Sequence, residues 1–328
     1  MAKIMRILSG MRPTGPLHLG NYHGALKNWV ALQNTHECFF FIADWHALTS
    51  DYETPGAIRT NIRHMILDWL SVGLDPGKCT FFVQSHIKPH AELFLLLSMI
   101  TPVPWLERNP TYKDQIAQLN NKDLSTFGFL GYPVLQAADI IIYKANAVPV
   151  GIDQVPHVEI TREIARRFNF LYREVFPEPE SILTETPKIL GLDRRKMSKS
   201  YNNAIYLSDS PETVSEKVSK MITDPQRARR SDPGNPDECN VFEFHKQYSD
   251  PELVDRIGIE CRKADIGCVE CKKQMAVHLN TALTPIRDKR AYYEERPELV
   301  TDIIETGDRK ARLVAEATMF EVRDAVKI

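Results

Sequence analysis

KIMRILSGMRPTGPLHLGN, residues Lys3 to Asn21, decides how the rest of the chain is read. Lys3–Ser9 reads as a strand. Gly10–Leu17 holds two prolines and two glycines and reads as a loop. Leu19–Gln33 then reads as a helix. A strand that passes through a Gly/Pro loop into a helix opens a parallel α/β unit. Moving outward, Glu37–Ala43 is a continuous apolar run, the mark of a strand buried on both faces. Ala57–Val72 places Ile58, Ile62, Met65, Ile66, Trp69 and Leu70 at helical spacing. Thr80–Gln84 reads as a strand and His90–Ile100 as a helix. Pro133–Tyr143 reads as a helix, Ala147–Val150 as a short strand and Val155–Phe168 as a helix. Beyond Asp209 the alternation stops. Pro211–Ile222, Val241–Tyr248, Val269–Leu283 and Arg309–Val326 all look helical, the last with Ala311, Val314, Thr318, Val322 and Ala325 on one face. The pattern predicts a parallel α/β domain over residues 1–208 and a smaller all-helical domain over 209–328, joined near Arg194–Asp209.

The 328 residues carry 41 Lys+Arg against 43 Asp+Glu, a net charge of −2, with 43% hydrophobic and 26% charged residues. Those proportions exclude a disordered chain, a collagen-like repeat and a coiled-coil rod. No apolar run reaches the roughly 18 residues of a membrane span, and Met1–Gly10 lacks signal-peptide anatomy, so a cytoplasmic protein is expected. Any RNA contact must come from local basic patches such as Arg227, Arg229 and Arg230 or Lys272 and Lys273, since the global charge is near neutral. Six cysteines in such a chain point to thiols or metal ligands and not to a disulfide framework.

Two segments carry chemistry. The first is the loop Met11–Asn21, at the carboxyl end of the first strand, where ligands bind in open parallel sheets. The helix that follows offers free N–H groups and a positive dipole end to phosphate, with His18 and Asn21 in its first turn. The second is Lys196-Met197-Ser198-Lys199-Ser200. Two lysines on a loop between domains suit a mobile clamp on a polyphosphate. Either segment alone is also readable as a turn or a solvated loop.

Taken in order, His18-Leu19-Gly20-Asn21 and Lys196–Ser200 resemble the two signatures of the class I aminoacyl-tRNA synthetases. The stretches SGMRPTG (9–15), ADWHALT (43–49), YPVLQAADIIIY (132–143), VPVGIDQVPH (148–157) and ITREIARRF (160–168) narrow the resemblance to the tryptophan branch. The resemblance covers nearly the whole chain. It implies a Rossmann-like catalytic domain, a helical anticodon-binding domain and a homodimer with its interface near His90–Lys122. It further implies formation of an aminoacyl adenylate from ATP and tryptophan, followed by transfer to tRNA(Trp). By the same resemblance His18, Asn21, Lys196 and Lys199 are catalytic. Arg12, Pro13, Thr14, Gly20, Asn21, Gly151, Ile152, Asp153, Ile189, Met197, Ser198 and Ser200 join the two lysines around ATP and its Mg²⁺. Ile152 stands where the family commonly has Glu, and one further phosphate lysine is implied near Lys113–Lys122.

For the amino acid, Asp139 is expected to accept a hydrogen bond from the indole N–H, which can only donate. Tyr132 and Gln154 are expected near the ammonium, His46 and Gln136 near the indole. The late cysteines, Cys239-x₂₁-Cys261-x₆-Cys268-x₂-Cys271, form only one close pair, so a zinc site, free buried thiols and a 4Fe-4S cluster all remain open from spacing. The cluster is what a subgroup of the tryptophan family implies. Competing readings are a tyrosyl-tRNA synthetase and a catalytically silent RNA-binding or redox-sensing paralogue.

Overall fold

The structure, a computed structural model, describes residues 4–110, 112–113, 123–183 and 189–328. The apolar runs become β1 (Arg6–Met11), β2 (Glu37–Ile42), β3 (Cys79–Val83) and β4 (Ala147–Val150), joined by β5 (Glu180–Leu183). All pair in parallel, in the order β3-β2-β1-β4-β5. Strand order reverses between β1 and β4, so a crevice opens at their carboxyl ends. This is the expected Rossmann-like sheet. β5 escapes the sequence reading because it is short and half exposed, with no apolar run to mark it.

Alternate residues of the central strands feed opposite faces. Ile7, Cys38, Phe40, Cys79 and Phe81 enter one core, and Leu8, Phe39, Phe41 and Phe82 the other. On the first face Trp29 stacks on Phe40 at 4.5 Å and meets Trp69 edge-on at 5.3 Å. Cys38 and Cys79 are buried in strands, as packing residues. The helix after the first loop, α1, begins with Leu19–Asn21, passes through a π-helical stretch, Tyr22–Leu26, and ends with Lys27–Leu32. Next come α2 (Asp44–Asp51), which the sequence reading missed, α3 (Ile58–Ser71), α4 (Pro89–Ser98) and α5 (Val103–Glu107). Then α6 spans Phe127–Ile141 and α7 Val155–Leu171. The α6 helix starts six residues before Pro133 because the Thr126 hydroxyl caps the Phe129 N–H at 3.2 Å, and Pro133 lies inside it.

After residue 208 the described residues hold no strand. They form α8 (Pro211–Ser219), α9 (Asn240–Tyr248), α10 (Pro251–Arg262), α11 (Cys268–Glu294) and α12 (Pro297–Val326). The first core runs from the sheet into this region through Val214, Val218, Phe244 and Met275. The last helix returns to the sheet: Ala311, Ala315, Met319 and Val322 are buried in the second core. It lies so close to β3 that a Cβ on Gly307 would stand 1.6 Å from the Phe81 carbonyl oxygen. Asp308 then accepts the Val83 N–H at 3.0 Å and pairs with His86 at 2.6 Å. An otherwise open strand edge is thereby covered.

Candidate functional site

A cavity of about 300 Å³ opens at the carboxyl ends of β1, β2 and β4, within the size range of small-molecule pockets. Its lining includes Gly10, Phe41, His46, Tyr132, Gln136 and Asp139, with Gln154 and His157 at the α7 side. Asp139 lies on the buried face of α6 and is fully buried. His46 Nε2 donates to its Oδ2 at 2.7 Å and His90 Nδ1 to its Oδ1 at 2.6 Å. Gln84 Nε2 reaches both oxygens at 2.8 and 2.9 Å. Burial alone would raise the carboxyl pKa. The bonds from His46 and His90 outweigh it and hold the group below its usual range, as an anion. Behind it, His90 Nε2 meets the Tyr143 hydroxyl at 2.7 Å, and Gln84 Oε1 accepts the Trp45 N–H at 3.1 Å. A carboxylate offers about four lone-pair positions, and four contacts from three donor atoms already meet them, so a guest N–H at this floor must share or replace one of those contacts.

On the other wall Tyr132 and Gln154 meet through His157. The Tyr132 hydroxyl is 2.8 Å from His157 Nε2, and His157 Nδ1 is 3.2 Å from Gln154 Oε1. Burial lowers the His157 pKa to about 4, so the ring is neutral. Its proton belongs on Nδ1, facing an acceptor, and Nε2 takes the tyrosine hydrogen. The Tyr132 oxygen is left as an acceptor toward the cavity. Gln136 lines the same space.

A second part of the site begins at the loop after β1. Arg12 is exposed and reaches Ser50 Oγ at 3.4 Å. Pro13 is buried, and its carbonyl accepts from Asn61 at 3.1 Å. Gly15 has φ +127°, a left-handed conformation that demands glycine. His18 and Asn21 form a reciprocal cap: the His18 N–H donates to Asn21 Oδ1 at 3.1 Å, and the Asn21 N–H to His18 Nδ1 at 3.3 Å. Burial first, then the Lys199 charge, lowers the His18 pKa to about 4. The neutral ring therefore accepts at Nδ1 and carries its proton on Nε2. Gly20 makes room for that ring, since a Cβ there would lie 2.9 Å from Nδ1.

Residues 196–200 close over this loop. Lys199 Nζ stands 3.5 Å from Thr14 Oγ1, and burial lowers its pKa to about 8. Met197 is buried in the first core, 3.5 Å from where a Gly20 Cβ would be. Lys196 and Ser200 are exposed, and Ser198 bonds Ser200 at 2.9 Å. Asn203, which the sequence reading missed, holds the loop's shape. Its Oδ1 accepts the Ser198 N–H at 2.8 Å, while Nδ2 donates to Asp193 at 2.7 Å and to the Lys196 carbonyl at 3.2 Å. Ile189 is half-buried against the first core. Gly151 and Asp153 sit at the start of α7 beside an exposed Ile152. Residues 114–122, where a further phosphate lysine was expected, lie outside the described residues.

This arrangement is a pocket with an anionic floor, beside two loops, the second of which carries Lys196 and Lys199. The family model for class I tRNA synthetases (W and Y) matches residues 2–284. The chain belongs to that family. The synthetase is 54% identical to a Thermotoga maritima tryptophan–tRNA ligase over 326 residues, covering 99% of both chains. It is 48% identical to the Aquifex aeolicus tryptophan–tRNA ligase over 394 aligned positions, covering 99% of this chain and all of that one. Among solved structures, a Campylobacter jejuni tryptophanyl-tRNA synthetase complexed with ADP and tryptophan matches with TM-score 0.91. It is 35% identical, with 99% of this chain and 100% of that one covered.

The cysteine expectation needs correction in one respect. The thiols do gather: burial first, then the three neighbouring cysteines, pushes Cys271 up to about 12. Yet among the described residues no group of three or more His, Cys, Asp or Glu is arranged to hold a metal ion. The Arg227 guanidinium lies between two of the sulfurs, 3.8 Å from Cys261 and 3.9 Å from Cys268. The basic residues divide similarly: Lys272 is tied to the Ser219 carbonyl at 2.8 Å, while Arg162 and Arg166 pair with Glu178. Among the described residues no helix is long and apolar enough to cross a membrane.

Proposed function

We propose that the synthetase is a tryptophan–tRNA ligase, and that Asp139 selects its amino acid. Every one of the curated relatives compared above carries that activity in its name. The observation that carries the selection is the buried Asp139 anion on the floor of the cavity, held by His46, His90 and Gln84. An indole N–H that takes over one of the two Gln84 contacts is matched by an acceptor; a phenylalanine ring offers no donor in exchange, and loss of such a matched hydrogen bond can cost up to about 10⁴–10⁵ in specificity. Tyrosine, with a phenol that both donates and accepts, has no matching donor group reserved for it. Tyr132, fixed as an acceptor by His157, receives the substrate ammonium together with Gln154, and His46 and Gln136 line the indole wall.

The tryptophan carboxylate attacks the ATP α-phosphorus, the bond to the β,γ-pyrophosphate breaks, and the leaving oxygen takes the electron pair. The protein's part is positioning and charge stabilisation. His18 donates through Nε2–H to phosphate, Asn21 presents its side-chain amide N–H, and Lys196 and Lys199 meet the charge that grows on pyrophosphate. Arg12, Pro13, Thr14 and Gly20 flank the nucleotide. Gly151, Ile152 and Asp153 hold the ribose, where the backbone serves despite the Ile152 side chain. Ile189, Met197, Ser198 and Ser200 border the adenine. Mg²⁺ enters with ATP and needs no cage of protein ligands. ATP–pyrophosphate exchange across amino acids tests the reading: exchange with tryptophan alone is expected, and exchange with tyrosine alone overturns it.

Three further parts belong to this reading. Cys239, Cys261, Cys268 and Cys271 would hold a 4Fe-4S cluster. What supports this reading is that the four thiols lie near one another and that only Cys268 and Cys271 form a close pair in sequence, where a structural zinc site commonly has two. Such a group supplies a thiolate-held brace to residues 209–328, the segment that would read the anticodon of tRNA(Trp). Iron and acid-labile sulfide near four per chain are expected on anaerobic purification; colourless protein with stoichiometric zinc rejects the cluster. A homodimer is supported by the exposed apolar residues Leu95, Met99 and Val103 on and beside α4 and α5, and Met99→Glu should yield a monomer by sedimentation. A cytoplasmic location accords with the free cysteines.

A further inference from the structure

The loop after β1, and the 205–209 segment that pairs with it, are both tied to α11 in the C-terminal region. The loop after β1 rests on α3, whose Asn61 and Asp68, seven residues apart, share a helix face. Asn61 Nδ2 holds the Pro13 carbonyl at 3.1 Å, and Asp68 Oδ2 accepts the Leu17 N–H at 2.9 Å. Asp68 is fully buried. Its other oxygen pairs with Arg290 of α11, itself buried. Arg290 also reaches His64, one turn before Asp68, at 3.0 Å, and its Nε pairs with Glu294 at 3.0 Å. Three residues earlier on α11, Arg287 donates to the Asp209 carbonyl at 3.4 Å. Asp209 in turn accepts the Tyr206 N–H at 2.8 Å, and the neighbours of Tyr206 pair with the first loop: Leu19 N–H to the Ile205 carbonyl at 3.0 Å and Leu207 N–H to the Leu17 carbonyl at 2.9 Å.

We propose that Asp68 and Arg290 form a positioning joint through which α11 sets the Pro13–Leu17 loop for adenylate formation. The helix has 27 residues and is about 40 Å long at 1.5 Å per residue. Its first turn carries Cys268 and Cys271 and its last turns carry Arg287 and Arg290. It is one continuous helix, with Pro285 inside it, that has the thiols at one end and the nucleotide loop at the other. Neither residue touches a reacting atom. Arg290 fixes the Asp68 carboxylate, and Asp68 fixes the Leu17 amide immediately before His18. The burial of Asp68 raises its pKa to about 6 against the pull of Arg290, the Leu17 N–H and Lys199. A buried carboxylate so placed needs its cation to stay charged and in position.

The proposal rests on the ligase reading, so equilibrium binding of Mg·ATP and tryptophan-dependent ATP–pyrophosphate exchange are measured in parallel. Wild-type protein that binds ATP but exchanges with no amino acid would defeat the ligase reading alone. Arg290→Met should raise the ATP KM and lower kcat by about tenfold each, with the tryptophan KM within about twofold, because a small misplacement at the phosphates is felt in the transition state. Arg290→Lys, which restores the charge, should recover most of that loss. Asp68→Asn keeps an acceptor for Leu17 and should lose about threefold. The Asp68→Asn/Arg290→Met double variant should be no worse than Arg290→Met, since the two act as a unit. It also removes both charges together, so it carries the test if Arg290→Met alone does not fold. A folded Arg290→Met or double variant with unchanged ATP KM and kcat overturns the joint. So does equal loss of ATP and tryptophan affinity, or a double-variant loss equal to the product of the single losses.

Discussion

The two halves of the site are built in opposite ways. Around the Asp139 cavity the polar groups named are bonded to other protein groups before a ligand arrives: His46, Gln84 and His90 on Asp139, Tyr143 on His90, His157 between Tyr132 and Gln154. Around the proposed nucleotide loops Lys196 and Ser200 are exposed, Lys199 makes a long contact to Thr14, and Asn203 gives the 196–200 loop its shape. Selection needs a rigid acceptor in a dry pocket, where an unmatched guest leaves a buried group unpaired. Catalysis needs charge that can close on pyrophosphate and then release it.

That contrast orders the expected effects. The largest is at the rigid floor. Asp139→Ala removes the acceptor and strands three donors, and should raise the tryptophan KM by more than about 100-fold while the ATP KM stays within about threefold. Steady-state kinetics that show both rising together would dissolve the distinction between the halves. Next, Lys199→Ala should lower the exchange kcat by about 10²-fold with little change in tryptophan KM, as for loss of one preorganised charge contact. An unchanged kcat removes Lys199 from the transition state. Asn203→Ala should loosen the 196–200 loop without touching substrate, for a loss of about tenfold in kcat and faster amide exchange at Ser198. If the exchange rate there is unaltered, the loop draws its shape from elsewhere.

The smallest effect is common to both halves. His18 on one side, His157 on the other and His23 near the helical region each have a pKa near 4, lowered mainly by burial. The unfolded chain takes up those protons near pH 6.5. It therefore binds more protons than the folded chain between about pH 6.5 and 4, and stability present above that range is lost as pH falls through it. Asp68 acts in reverse, since its folded pKa, about 6, lies above its ordinary value. Its contribution is largest at low pH and fades as pH rises through 6. The three histidines, with His245, whose pKa is likewise lowered to about 4 mainly by burial, outweigh Asp68, so Tm should fall by several degrees between pH 6.5 and 4.5. A flat Tm across that interval would show that these rings are protonated in the folded protein.

What the sequence made legible follows from how each feature is encoded. His18–Asn21 and Lys196–Ser200 are contiguous, so their chemistry can be read from spacing, and the Phe39–Phe41 run announces a strand buried on both faces. Asp139 stood out as a lone acid among Ala137, Ala138, Ile140 and Ile141. Of its partners only His46 was named beforehand, and not as a partner of Asp139; Gln84 and His90 were not, because the three come from different segments that only the sheet brings together. The polar Gln84-Ser85-His86 directly after an apolar strand was the available hint, since strand ends in such sheets face the ligand crevice. The Asp68–Arg290 pair joins residues 222 apart in sequence, beyond the reach of any local pattern. Likewise the apolar face of the last helix was readable, but its destination against β3 was not.

That destination matters during synthesis. The amide of Val83 waits for an acceptor 225 residues downstream, and Gly307 leaves no room for a side chain between helix and strand. While the ribosome is still making the second half, the growing polypeptide displays a bare strand flank able to zip onto a sister molecule. A helper that shields nascent sheets, or quick arrival of the closing helix, decides how much enzyme escapes aggregation.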